Sequence, residues 1–303
     1  MPGVRVGEDR TCQAARMPNP YRSAAAAAEV HAWCTARLDR WDVPHEQHLV
    51  ATDLGDAHLA SVGDGSDVCV YLPGTNFTAA TSRAVLTSLA TRLRVYAADL
   101  PGQPGLSAPA RPKHELAGYG QWVAEVLRWI RSRYPGSRLV LAGHSRGAAV
   151  ALLASPEDVD AVALLSPAGF LRARPSPAML RAAIPWMLQG GDAGSRRLLT
   201  YMSGPGHTPS PDHVEWMTLL ARTTRTTGAP GPLPARTLSG WRDSNIGLLV
   251  GQYDAFFPPE RLAPAARSAL KRDLVVVSGA GHLVTDEEPD VVRDFVVNLL
   301  AQN

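Results

Sequence analysis

Gly143-His144-Ser145-Arg146-Gly147 follows an apolar run over 139–142 and leads into a stretch of small, helix-forming residues. A serine flanked by glycines two positions to either side, where a strand passes into a helix, sits on a sharp, strained turn. The glycines remove the Cβ atoms that would collide with both elements, so the hydroxyl is pushed into the open. A serine hydroxyl is a poor nucleophile at its ordinary pKa. It needs a base within hydrogen-bond reach and a third group that holds the base in one tautomer. Two later positions supply these types: Asp254, just past the strand-like run 246–250, and His282, in a small-residue loop past 274–277. The order Ser145, Asp254, His282 differs from the His-first and Asp-first orders of other serine triads. Taken singly, Asp254 would serve as a turn cap before Pro258 and Pro259, and His282 as a loop histidine.

Acyl transfer also generates an oxyanion that two backbone N–H groups must face. Arg146, immediately after the serine, supplies one. The loop Pro73-Gly74-Thr75-Asn76 after the strand-like run 68–72 supplies the other, assigned to Thr75 with Asn76 as its neighbour in the binding loop; a plain Pro-Gly turn would read the same way. His144 adjoins the serine but points away from it on a sharp turn, which makes it a packing or pocket-lining residue. Asp286, Glu287 and Glu288 precede Pro289 and favour a helix N-terminus.

These residues need a scaffold. Ser23 can cap a peripheral helix with an apolar face of Val30, Trp33, Cys34, Leu38 and Trp41. Segments 47–52 and 57–62 flank a Leu54-Gly55-Asp56 turn and read as a hairpin. Strand-like runs at 68–72, 93–98, 139–142 and 161–165 then alternate with helical patterns near 81–91, 114–134 and after Ser145, the grammar of a parallel α/β sheet. The helix at 114–134 carries a stripe of Leu116, Tyr119, Val123, Val126, Leu127 and Ile130. Residues 167–243 lack strand-like runs but hold helical spacings, Leu180, Ile184, Met187 and Leu188, then Val214, Met217 and Leu220. They read as an inserted helical cap between core segments 21–166 and 244–303, after a loose leader over 1–20. Strands resume at 246–250 and 274–277, and Val291, Val292, Phe295, Val296, Leu299 and Leu300 mark a closing amphipathic helix. Phe170, Met179, Trp186, Met187, Trp216 and Met217 would give the cap an apolar pocket lining, although helical spacing would equally make them cap core.

Composition narrows the function. With 303 residues, 45% hydrophobic and 19% charged, the chain can build a sizeable core. A formal charge of +2 gives no basic field for nucleic acid or an anionic membrane. Cys12, Cys34 and Cys69 form neither a disulfide framework nor a zinc knuckle, and no signal peptide or run of about 18 apolar residues appears, so a cytoplasmic protein is expected. There is no HExxH, no GxxxxGK[ST] and no GxGxxG after a strand, so no metal and no cofactor is expected. The expected partner is a small-molecule ester or related acyl compound. Nothing in the sequence sets an oligomeric state.

From about residue 21 to its end the chain resembles the α/β-hydrolase superfamily, in the branch with a serine nucleophile and a helical cap. Asp99-Leu-Pro-Gly102-Gln-Pro-Gly105-Leu-Ser107 looks like a variant of that family's DxxGxxGxS loop, and Tyr21-Arg22-Ser23 is similar to the opening of bacterial carboxylesterase-like members. The resemblance implies an α/β-hydrolase fold, hydrolysis of carboxylic esters through an acyl-enzyme, and no cofactor. Serine at 145 excludes the aspartate nucleophile of the dehalogenases and epoxide hydrolases that share the fold. One departure stands out: Pro73-Gly74 replaces the usual His-Gly of the oxyanion loop. The same triad would also serve thioester, lactone or C–C bond cleavage or a biosynthetic cyclisation, and a hydrolase scaffold can act as a non-catalytic receptor.

Overall fold

Short apolar runs buried on both faces form the centre of the molecule, as parallel strands covered by helices require. The computed structural model describes residues 19–173, 176–225, 228 and 230–302. Most of the expected leader over 1–20 lies outside these. The chain passes through helix α1 (Ala24–Asp39), β1 (His45–Val50) and β2 (Ala57–Val62). It then alternates through β3 (Val68–Leu72), α2 (Arg83–Ala90), β4 (Arg94–Ala98), α3 (Glu115–Arg133), β5 (Leu139–His144), α4 (Arg146–Ala151) and β6 (Ala161–Leu165). Four helices follow, α5 (Pro177–Gln189), α6 (Asp192–Met202), α7 (Pro211–Thr223) and α8 (Ala235–Ser239). The alternation resumes with β7 (Ile246–Gly251), α9 (Pro259–Leu270), β8 (Leu274–Val277), α10 (Val284–Glu287) and α11 (Pro289–Leu300).

The eight strands pair in the order β1-β2-β4-β3-β5-β6-β7-β8. β2 is antiparallel to β1 and β4, and the remaining pairs are parallel. This is the α/β-hydrolase architecture. Side chains alternate across it with period two. Cys69, Tyr71, Val140 and Ala142 enter the apolar layer that contains α2 and α11, whereas Val70, Leu72, Leu139 and Leu141 enter the layer with α3, α4 and α9. Each fully buried aliphatic side chain contributes roughly 1.5–3 kcal/mol.

Four expectations need correction. The hairpin's first strand is β1, starting at His45, with His45 opposite Val62 and Val50 opposite Ala57. In α3 Leu116 faces solvent while Trp122, absent from the expected stripe, is fully buried. Helix α5 presents its Leu180, Ile184 and Leu188 outward and buries Ala182 and Trp186. It is apolar nearly all round, so periodicity alone could not choose its inner face. Helix α1 is not peripheral: Ser23 caps it by accepting from the Ala26 N–H at 3.1 Å, but Val30, Cys34 and Leu38 are fully buried and Trp33 stacks on Trp216 of α7, 4.7 Å between centroids.

The residues before α1 act as a strap. The Arg22 N–H donates to the Thr223 carbonyl at 2.8 Å and the Arg225 N–H to the Pro20 carbonyl at 2.7 Å. The Tyr21 hydroxyl accepts from the Gly105 N–H at 3.1 Å and donates to the Gly105 carbonyl at 3.0 Å. The end of α7 is thereby tied to the loop after β4. Tyr21→Phe keeps the ring and leaves both Gly105 groups without this partner, which should cost about 1–3 kcal/mol in urea unfolding. An unchanged stability would show that the strap does not hold the fold.

Candidate active site

The turn from β5 into α4 is built by close approach. A Cβ on Gly147 would lie 2.0 Å from the Leu72 carbonyl oxygen and one on Gly143 2.5 Å from the Ala148 nitrogen, so both positions require glycine. Between them Ser145 takes φ 52°, ψ −111°, a left-handed region costly for a residue with a side chain. Its N–H donates to the Leu165 carbonyl at 2.9 Å, fixing the turn to β6. The side chain is aimed past the C-terminal edge of the sheet, where open α/β folds gather ligands.

The structure brings Ser145, His282 and Asp254 together. The Ser145 Oγ lies 3.1 Å from His282 Nε2, and His282 Nδ1 lies 2.9 Å from Asp254 Oδ2. Asp254 is also the turn cap that its sequence context allows, because its Oδ1 accepts from the Phe256 and Phe257 N–H groups, each at 2.9 Å. One carboxylate oxygen holds the turn and the other faces the imidazole. Burial alone would raise this carboxyl, but the His282 ring and the two N–H donors keep it below the ordinary aspartate range. An ionised Asp254 requires Nδ1–H on His282, which leaves Nε2 free to accept from the serine hydroxyl.

His144 fills the space behind. Its Nε2 lies 2.8 Å from the His282 carbonyl oxygen, and as a neutral ring protonated on Nε2 it donates there. Gly74 has no room for a Cβ, which would lie 2.8 Å from His144 Nδ1. Burial, reinforced by the neighbouring His282, pushes the His144 pKa down to about 3.

The loop 73–76 also borders Ser145, since a Cβ on Gly74 would lie 3.3 Å from the Ser145 Cβ. Among the described residues the N–H groups of Thr75 and Arg146 have no internal partner, whereas the Asn76 N–H donates to Gln103 Oε1 at 3.2 Å. The Arg146 side chain joins this loop to residue 228 through Thr75 Oγ1 and the Gly228 carbonyl. A cavity of about 460 Å³ opens onto Ser145 and His282. Of the anticipated lining residues, Asn76, His144, Met179, Trp186, Met187 and Met217 border it. Phe170 and Trp216 do not: Phe170 packs in the layer below the sheet, and Trp216 is fully buried with its Nε1–H donating to the Asn76 carbonyl at 2.7 Å. Helical spacing gives a face but not the neighbour it meets. Leu198, Met202, Phe256 and Phe257 also line the cavity. The first two sit on α6, whose sequence carries no helical stripe among the expected ones, and the other two occupy the turn beside Asp254, where the acid is the only chemical signal in the sequence. Among the described residues no group of three or more metal-ligating side chains comes together, and no helix is long and apolar enough to cross a membrane.

Residues 69–295 match the model of the alpha/beta hydrolase family. The chain belongs to that family. Carboxylesterase YbfK of Bacillus subtilis (strain 168) is 24% identical to this alpha/beta hydrolase over 279 residues, covering 87% of this chain and 90% of that protein. A solved putative hydrolase from Bacillus subtilis superposes with a TM-score of 0.77 at 21% identity, covering 91% of this chain and 99% of its own. Naproxen esterase (carboxylesterase NP) from Bacillus subtilis gives 0.74 at 20% identity, with 91% and 98% covered. At these identities the structural likeness speaks for the fold.

The buried His144 gives this hydrolase an acid sensitivity of definite sign. From the ordinary value of 6.5 down to about 3, the unfolded chain takes up a proton that the folded site refuses. Stability is therefore intact above pH 6.5 and falls as pH drops through that window. At pH 5 this amounts to on the order of 2 kcal/mol. Urea unfolding at pH 7 and pH 5 should show a smaller pH difference for His144→Gln than for the wild type; an equal difference would assign the acid sensitivity elsewhere.

Proposed function

We propose that this protein hydrolyses carboxylic esters through an acyl-enzyme on Ser145, with His282 as base and Asp254 as its orienting acid. The observation that carries this reading is the continuous contact from Ser145 Oγ through His282 to Asp254 Oδ2, at 3.1 and 2.9 Å. As Oγ attacks the carbonyl carbon, its proton passes to His282 Nε2, and the resulting imidazolium is stabilised by the Asp254 carboxylate. The oxyanion takes the Thr75 and Arg146 N–H groups, whose fixed position requires no reorganisation during the reaction. When the intermediate collapses, the C–O bond to the alcohol breaks and the leaving oxygen receives the proton from His282. Water then repeats the sequence against the acyl-serine, with its proton going to Nε2, and releases the acid.

The substrate class follows from the cavity. Met179, Met187, Met202, Met217, Trp186 and Phe256 border it, an apolar and adaptable wall suited to a neutral ester of medium size. Its roof is the helical cap formed by the insertion between β6 and β7. Kinship with a carboxylesterase agrees with an ester rather than another acyl bond.

Steady-state kinetics on a responsive ester test the assignment. Ser145→Ala should lose on the order of 10⁴-fold or more in kcat, and Asp254→Asn a comparable factor, because it selects the wrong histidine tautomer. Wild-type turnover in Ser145→Ala would end the reading. Across a substrate panel, kcat/KM should rise from short polar esters to longer apolar ones, and the opposite order would contradict the assignment of the apolar cavity to substrate.

A further inference from the structure

The catalytic reading needs His282 held within a few tenths of an ångström, yet the residue sits in a loop rich in small residues, Gly279-Ala280-Gly281. Several of its peptide groups are tied to neighbouring segments. The Tyr253 N–H, next to Asp254, donates to the Ala280 carbonyl at 2.8 Å, and the His282 N–H donates to the Met202 carbonyl at 2.7 Å. Met202 is the last residue of α6. Its carbonyl belongs to the set that a helix C-terminus leaves without an internal partner, and here it accepts from the catalytic histidine itself.

A carboxylate completes the clamp. Glu287 Oε2 accepts from the Gly281 N–H at 2.6 Å and its Oε1 accepts from the Gly204 N–H at 3.0 Å. Gly281 immediately precedes His282, and Gly204 lies just beyond α6. The two backbones are in direct contact: a Cβ on Gly204 would stand 1.9 Å from the Gly279 carbonyl oxygen, and one on Gly281 2.4 Å from the Ser203 carbonyl carbon. Charge-assisted bonds of this kind are about twice as strong as neutral ones. Placed on both sides of a glycine-lined contact, they hold two flexible segments in one register.

We propose that Glu287 is a positioning residue: its carboxylate bridges the His282 loop to the exit of α6 and so holds the imidazole in line with Ser145. The inserted helices are then not a free cover, because the end of α6 forms part of the support of the catalytic histidine. Movement that opens the cavity must occur away from this end. The proposal rests on the Ser145–His282 reading and extends it to a residue that never touches substrate.

The test uses the full chain carrying Glu287→Ala or Glu287→Gln, with kcat and KM measured separately and thermal midpoints recorded in parallel. A misplacement of about 1 Å costs up to about 100-fold in rate. Glu287→Ala should therefore lose about 10–100-fold in kcat with KM within about twofold of wild type. Glu287→Gln keeps one acceptor oxygen and sets an NH₂ against the other N–H, so its kcat should fall between the two. Wild-type kcat in Glu287→Ala would overturn the proposal, as would a kcat loss that vanishes on cooling below an unfolding transition. Ser145→Ala run alongside keeps the claims apart. If it remains active, the nucleophile assignment fails and the positioning claim falls with it; if it is inactive while Glu287→Ala turns over normally, only the positioning claim fails.

Discussion

Ser145 Oγ and His282 Nε2 meet at 3.1 Å although the two residues are 137 positions apart. Neither side chain finds the other by local structure, so each is imposed by the backbone that carries it. On the serine side a left-handed φ is fixed by Gly143 and Gly147, whose missing Cβ atoms let β5, α4 and the end of β3 crowd together. On the histidine side the loop beyond β8 is pinned to the turn of Asp254 and to the end of α6. The strain at one end and the hydrogen bonds at the other are sustained by the same sheet, whose central strands β3, β5 and β6 are buried throughout.

Much of this sheet is legible in the sequence because strands covered on both faces need unbroken apolar runs. The runs at 68–72 and 161–165 have the bounds of β3 and β6, each buried along its whole length; the edge strand β8 also has the bounds of its run, 274–277, although Val275 and Val276 are exposed. Ser145, Asp254 and His282 stand out for a related reason: each lies in the short connection after such a run, at the edge of the sheet where chemistry collects. In the loop 73–76 the structure adds what the sequence does not show: the Gln103 side chain occupies the Asn76 N–H.

What the sequence hides is tertiary choice. Helix α5 has two apolar faces, and only packing on α6 and α7 decides that Trp186 turns in and Leu188 out. Trp216 could be read from sequence as pocket lining or as cap core, and only the structure decides for the core: its ring packs on Trp33 and its N–H serves the Asn76 carbonyl. Glu287 follows the pattern of an acid near a helix start, and nothing local reveals that its two oxygens bridge Gly204 and Gly281. In each case the partner comes from a distant segment. Helices α5, α6 and α7 carry most of these surprises because they pack on one another and, through α7, on α1 rather than on the sheet, where strand periodicity would constrain them.

The central claim is that the backbone geometry makes one serine hydroxyl reactive through one imidazole. The most direct measurement is mass spectrometry of the intact and digested protein after reaction with a fluorophosphonate probe, which captures an activated serine covalently. The account predicts a single stoichiometric adduct on the peptide containing Ser145, formed rapidly in the wild type and not in His282→Ala. A protein left unlabelled, labelled at another serine, or labelled equally fast without the imidazole would contradict it.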